Sequence, residues 1–124
     1  MDHSPGFLKI VSEAKRHVNE ISVAEARARL RANPQVVLLD VREDHEWAAG
    51  HALEATHLGK GILERDLEKL YPDTNTEIIM YCGGGYRSAL ACEAAQKLGY
   101  PKVHSLIGGY KGMMAAGWTM QMGS

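Results

Sequence analysis

Glu77 to Gly99 reads EIIMYCGGGYRSALACEAAQKLG, and this stretch decides the fold. Ile78-Ile79-Met80-Tyr81 is an unbroken apolar run, the pattern of a strand buried on both faces. From Ser88 onward, Leu90, Ala91, Ala94, Ala95 and Leu98 fall on one helical stripe. Cys82-Gly83-Gly84-Gly85-Tyr86-Arg87 lies between the two. A thiol is thereby placed at the carboxyl end of a buried strand, just before a helix. In open α/β sheets that edge is where ligands bind. Three consecutive glycines let the loop adopt φ > 0 and turn its N–H groups inward as an anion-binding concavity. A helix beginning near Ser88 adds unpaired N–H groups and the positive end of its dipole. Arg87 adds a fixed positive charge. All of these favour a thiolate at Cys82, because a free cysteine titrates near ~8.5 and such surroundings lower that value. The same cradle suits an anion carried on the sulfur, such as a persulfide. A glycine-rich turn beside an ordinary buried cysteine is the plain alternative, and it does not call for three glycines and an arginine at this spacing.

Outward from this stretch, strands and helices alternate. Ser4-Pro5 supplies an N-cap and an N1 proline, and Phe7, Leu8, Ile10, Val11, Ala14 and Val18 mark the apolar face of a first helix. That face serves either the domain core or a second protomer. Glu20-Ile21 is a short edge strand. Ser22-x-x-Glu25 is a capping box opening a helix through about Ala32, with Ala24, Ala28 and Leu30 inward and Arg27, Arg29 and Arg31 solvated. Asn33-Pro34 ends it. Val36-Val37-Leu38-Leu39 predicts a central parallel strand that delivers Asp40 and Arg42 to the same sheet edge as Cys82. Asp44 is placed to N-cap a short helix that stops at Gly50, with Trp47 as a core aromatic beneath the loop. A short strand lies around Ala55-Thr56. Gly59-Lys60-Gly61 leads into a helix over 62–70, with Ile62, Leu63, Leu67 and Leu70 inward. Val103 to Leu106 is a further strand, mobile Gly108-Gly109 walls the site, and Tyr110 to Ala116 is the last helix, stopped by Gly117. Met113, Met114, Met120 and Met122 read as core fillers rather than a binding surface.

The chain has 124 residues, enough for one core, and a formal net charge of −1. Neither nucleic acid nor an anionic membrane surface is expected as a partner, and no apolar run reaches the ~20 residues of a membrane span. MDHSPGFLKIV has no basic start followed by an apolar core, so no secretory signal is expected. Two cysteines, one poised to react, fit a reducing compartment, and the cytoplasm is the expected location. Six histidines do not make a metal site: none is spaced i, i+4 on a helix around a carboxylate, and no cysteine pair accompanies them. His3, His17 and His45 read as surface residues and His51 as a structural hydrogen-bonding group. Gly123-Ser124 fits an expression scar.

Cys82-Gly83-Gly84-Gly85-Tyr86-Arg87-Ser88 resembles the active-site loop of rhodanese-like sulfurtransferases, with the pattern C-x-x-G-x-R-S. Leu39-Asp40-Val41-Arg42-Glu43, Glu46-Trp47, Gly50-His51 and Gly108-Gly109-Tyr110 match in order, from about Ile21 to Trp118. The resemblance implies an α/β, rhodanese-like three-layer domain over residues 20–122. Its mainly parallel five-stranded sheet would carry helices on both faces and run in the order 1-5-4-2-3. Residues 1–19 would be an N-terminal helical extension. It further implies a sulfurtransferase without cofactor or metal, in which Cys82 is the nucleophile and carries the persulfide. Gly83, Gly84, Gly85, Tyr86, Arg87 and Ser88 would bind the persulfide and substrate. Asp40 and Arg42 would support the neighbouring loops, Asp40 as a structural ion-pair member and Arg42 either so or touching substrate. The expected partners are a small sulfur donor such as thiosulfate and a thiol or cyanide acceptor, with a partner protein open as the acceptor of a sulfur relay and the chain a monomer or homodimer. A phosphatase or arsenate reductase is the rival. The cell-cycle phosphatases that resemble rhodanese have five residues between Cys and Arg, and here Gly83 to Tyr86 make four.

Overall fold

The computed structural model describes residues 3 to 123; Met1 and Asp2 of the expected extension, and Ser124 of the expected scar, lie outside it. The elements, in order, are α1 (Pro5–Lys15), β1 (Asn19–Ile21), α2 (Val23–Ala32), β2 (Val37–Asp40), α3 (Asp44–Ala49), β3 (His51–Ala52) and β4 (Thr56–His57). A 3-10 turn (Lys60–Ile62), α4 (Leu63–Leu70), β5 (Ile78–Tyr81), α5 (Arg87–Lys97), β6 (Val103–Leu106), α6 (Gly109–Ala115) and β7 (Met120–Gln121) follow. Five strands form one sheet in the order β1-β6-β5-β2-β4. Every pairing in it is parallel, and numbered within that sheet it is the expected 1-5-4-2-3. As expected, β2 is an interior strand, paired in parallel with β5 on one side and β4 on the other, and β5 is the middle strand. A separate antiparallel ribbon joins β3 to β7, which the sequence does not announce because each strand has only two residues.

Pleating divides the core into two. Ile78, Met80 and Cys82 face a cluster with Ala14 of α1, Leu63 and Leu67 of α4, and Ala89, Ala91, Cys92 and Ala95 of α5. Ile79 and Tyr81 face the opposite cluster, with Ala26 of α2, Leu38 of β2, Met113 of α6 and Trp118. Side chains alternate along a strand, so parity alone sends Cys82 to the α5 side. Parallel strands need long crossovers, and the helices that supply them cover both faces. Among the described residues no helix is long and apolar enough to cross a membrane.

Several inward assignments differ from the expected ones. On α1, Val11 and Ala14 are buried while Leu8 and Ile10 are exposed. On α2 the buried residue is Ala26, with Leu30 packed beside it; Ala24 and Ala28 face solvent. On α4, Leu63 and Leu67 are buried, whereas Ile62 and Leu70 are exposed. Met113 is core, but Met114 and Met122 are exposed. Apolar residues on short helices mark a face only to within one residue, and the packed sheet selects the final angle. Helix α3 is capped by Glu43, not Asp44: Glu43 and Glu46 form a reciprocal capping box. Trp47 is half-buried and stacks on His51 at 3.4 Å between ring centroids, so it is not a core residue. Arg29 is not free in solvent either, since it binds Glu77 at 2.6 Å.

Candidate active site

Cys82 follows β5, and its sulfur is met by two backbone donors. Gly85 N–H lies 3.1 Å from Sγ and Ser88 N–H 3.3 Å. The Ser88 hydroxyl stands 3.5 Å from Sγ and is bonded at 2.7 Å to Ser105 Oγ on β6. Ser88 lies in the first turn of α5, where amides have no helical partner, so its N–H is free to serve the sulfur. Among the described residues, the amides of Gly83, Gly84, Tyr86 and Arg87 have no protein acceptor. They remain available to an anion on the sulfur. The cysteine is only 1% exposed, so the thiol forms the floor of the loop, and exposed Gly84 marks its rim.

Of the three loop glycines, only Gly85 uses the left-handed region, at φ 100°. A Cβ there would also press on the Leu106 carbonyl oxygen at 3.3 Å. The strand–helix turn is anchored from within by α6. Tyr110 N–H donates to the Cys82 carbonyl at 2.7 Å and Lys111 N–H to the Gly83 carbonyl at 3.2 Å. Gly109, at φ 52°, makes this approach possible, because a Cβ would overlap the Cys82 carbonyl oxygen. The wall expected to be mobile at Gly108-Gly109 is therefore packed against the backbone of Cys82 and Gly83 and tied down by the two residues that follow it.

Arg87 does not stand as a free charge over the loop. Its guanidinium grips the Glu46 carboxylate with two bonds, 2.7 and 3.1 Å long, while Nη2 lies 3.1 Å from where a Cβ of Gly83 would be. The Arg87 guanidinium, with help from the Glu43 backbone amide, lowers Glu46 to about 2 against the opposing effect of burial. Glu46 belongs to the matched Glu46-Trp47 segment, but its spacing gives no sign of this partner 41 residues away. Ser105 gives no signal either, since a serine in the short strand Val103–Leu106 reads only as tolerated polarity.

Asp40 and Arg42 lie on the other face. Asp40 has the parity of Leu38, whose side chain packs on the α2–α6 side. Both residues are buried; Arg42 Nη2 is 2.8 Å from Asp40 Oδ2 and 2.6 Å from the Gly50 carbonyl. The guanidinium lies 4.2 Å from the Tyr110 ring centroid. Burial, and then the neighbouring Asp40 carboxylate, push the Tyr81 phenol up. This network holds α3, β5 and α6 together behind the thiol. Cys92 lies on the buried face of α5; burial pushes its thiol up, and both cysteines are free.

A thiol thus sits at the carboxyl edge of an all-parallel sheet in an α/β domain, with the Gly85 and Ser88 amides directed at its sulfur. Residues 22–116 match the model of the Rhodanese-like domain, and the chain belongs to that family. Over 87 residues it is 34% identical to the Bacillus subtilis (strain 168) protein named "Putative sulfurtransferase YtwF", covering 70% of this chain and 82% of that one. A Rhodopseudomonas palustris CGA009 structure, described as a protein of unknown function and "Possible Tyrosine Phosphatase", is 25% identical, covers 98% of both chains and superposes with a TM-score of 0.85. A thiosulfate sulfurtransferase from Pseudomonas aeruginosa is 26% identical with a TM-score of 0.78; the match covers 90% of this chain and 22% of that one.

Proposed function

We propose that the chain is a sulfurtransferase that carries sulfane sulfur on Cys82. The observation that carries this reading is the pair of amides, Gly85 and Ser88, aimed at Sγ. The thiolate attacks the outer sulfur of thiosulfate. A sulfur–sulfur bond forms to Cys82, the bond to the sulfonate sulfur breaks, and its electron pair leaves with sulfite. The product is a Cys82 persulfide anion, whose charge the remaining loop amides receive. An acceptor nucleophile, cyanide in an assay or a thiolate in a cell, then attacks the terminal sulfur and returns the electron pair to Cys82. This is covalent catalysis divided into two displacements. Gly83, Gly84, Tyr86, Arg87 and Ser88 hold the anion or shape its loop, while Asp40 and Arg42 support it from behind. The expected setting is the cytoplasm.

The phosphatase reading fits the loop less well. Four residues separate Cys82 from Arg87, and the arginine fork that would clasp a phosphate dianion is closed on Glu46. Mass spectrometry after incubation with thiosulfate tests the chemistry. A single sulfur-sized adduct on Cys82, removed by cyanide with release of thiocyanate, is the expected result. Cys82→Ser should retain the fold and lose both the adduct and the transfer. Turnover in a folded Cys82→Ser protein, or hydrolysis of an aryl phosphate without any sulfur adduct, would overturn the proposal.

A further inference from the structure

Helix α1 precedes the family-matched residues, yet it touches the active-site loop. The Phe7 ring stacks on Tyr86 at 6.3 Å between centroids with 19° between planes. His3 meets the same ring at 4.6 Å, and the Lys15 ammonium lies 5.0 Å from its centroid. Phe7 is the only phenylalanine in the chain. The helix is docked independently of these contacts, because Val11 and Ala14 are buried against the body and Gln96 bonds the His17 carbonyl at 3.1 Å.

We propose that Phe7 is a positioning residue for the Cys82 loop, holding Tyr86 and through it the Gly85 amide that faces the sulfur. Three glycines in sequence give the loop large conformational freedom, which must be removed if two amides are to stay on one atom. Bonds from α6 fix the Cys82 and Gly83 carbonyls, which is only the first half of the loop. The second half is fixed at Tyr86, the residue between Gly85 and α5, whose ring is held from outside by α1. Gly84 lies between the two anchors, with nothing within 4 Å of its Cβ position. That leaves one open side for an incoming donor. The N-terminal helix is thereby part of the working site of the proposed sulfurtransferase.

This proposal rests on the sulfur-carrying reading of Cys82, but its test has readouts that need no sulfur transfer. Phe7→Ala, Phe7→Leu and Phe7→Tyr would be compared in the full chain by amide exchange of Gly84 to Tyr86, by the rate of Cys82 alkylation with iodoacetamide, and by kcat and KM for thiosulfate. Loss of the aromatic contact in Phe7→Ala and Phe7→Leu should speed loop exchange by roughly three- to tenfold. Alkylation should change by at least about threefold, and kcat should fall by a similar factor with KM for thiosulfate little altered. Phe7→Tyr should restore all three. Phe7→Leu keeps an apolar side chain and guards against simple unfolding. Wild-type loop exchange and alkylation in a folded Phe7→Leu protein would overturn the proposal, whatever the chain's catalytic activity. Altered exchange without any sulfur adduct on wild-type Cys82 would instead uphold the clamp and remove the sulfurtransferase reading.

Discussion

At the scale of single residues, Arg87 and Glu46 carry the sharpest consequence. An exposed ion pair contributes little, but this one is half-buried and two-pronged, and it ties α3 to the first residue of α5. The carboxylate is depressed from an ordinary 4.5 to about 2. Folded Glu46 therefore releases its proton more readily than the unfolded chain does. The pair's stabilisation is fully present above about pH 4.5 and is lost as pH falls toward about 2. Thermal melts at pH 6 and pH 3 should show a smaller acid-induced drop for Glu46→Gln than for the wild type; equal drops would deny the pair this role. Arg87→Ala should reduce sulfur transfer by roughly tenfold, with Arg87→Lys recovering only part, because an ammonium lacks the planar fork. Steady-state kinetics on the three proteins checks this, and indistinguishable rates would make Arg87 a bystander.

At the scale of elements, the β5–α5 turn depends on one glycine more than on its neighbours. Gly85 occupies φ 100° against the Leu106 carbonyl, whereas Gly84 faces open space. Gly85→Ala should cost about 1–3 kcal/mol of stability through backbone strain and should draw the Gly85 amide away from the sulfur. Gly84→Ala should stay within ~1 kcal/mol of the wild type. Urea melts of both variants decide the matter, together with their rates of Cys82 alkylation, and equal losses would contradict the assignment. The run GGG showed that a loop with unusual freedom was needed, yet only the structure distinguished the obligatory glycine. The difference arises from contacts with β6 and Gly108, at least 21 residues further along the chain.

For the whole molecule, the pleat of the sheet separates chemistry from support. Cys82 faces α5, while Asp40 and Arg42 bind one another on the opposite side and brace α3 and α6. Arg42→Ala would leave the Asp40 carboxylate buried without its counter-ion. A loss of about 3–5 kcal/mol is expected, with the remaining folded protein still able to accept sulfur on Cys82. Chemical denaturation and adduct mass spectrometry on the same sample separate the two effects. A stable Arg42→Ala protein that cannot form the adduct would place Arg42 in contact with substrate instead.

The alternation of strands and helices, the position of the thiol at a sheet edge, and the glycine–arginine loop before α5 are all legible in the residues alone. Each is written in contiguous residues, as a run of apolar residues, a helical period or a glycine cluster. The apolar run of β5 also contained the parity that sends Cys82 toward α5, while Asp40 shares the parity of Leu38 on the other face. Which partners meet is set by the folded arrangement: Glu46 with Arg87, Ser105 with Ser88, Tyr110 with the Cys82 carbonyl, and Phe7 with Tyr86. These pairs lie 17 to 79 positions apart, and their meeting follows from how crossovers lay helices on a sheet, a choice that no local pattern of side chains records.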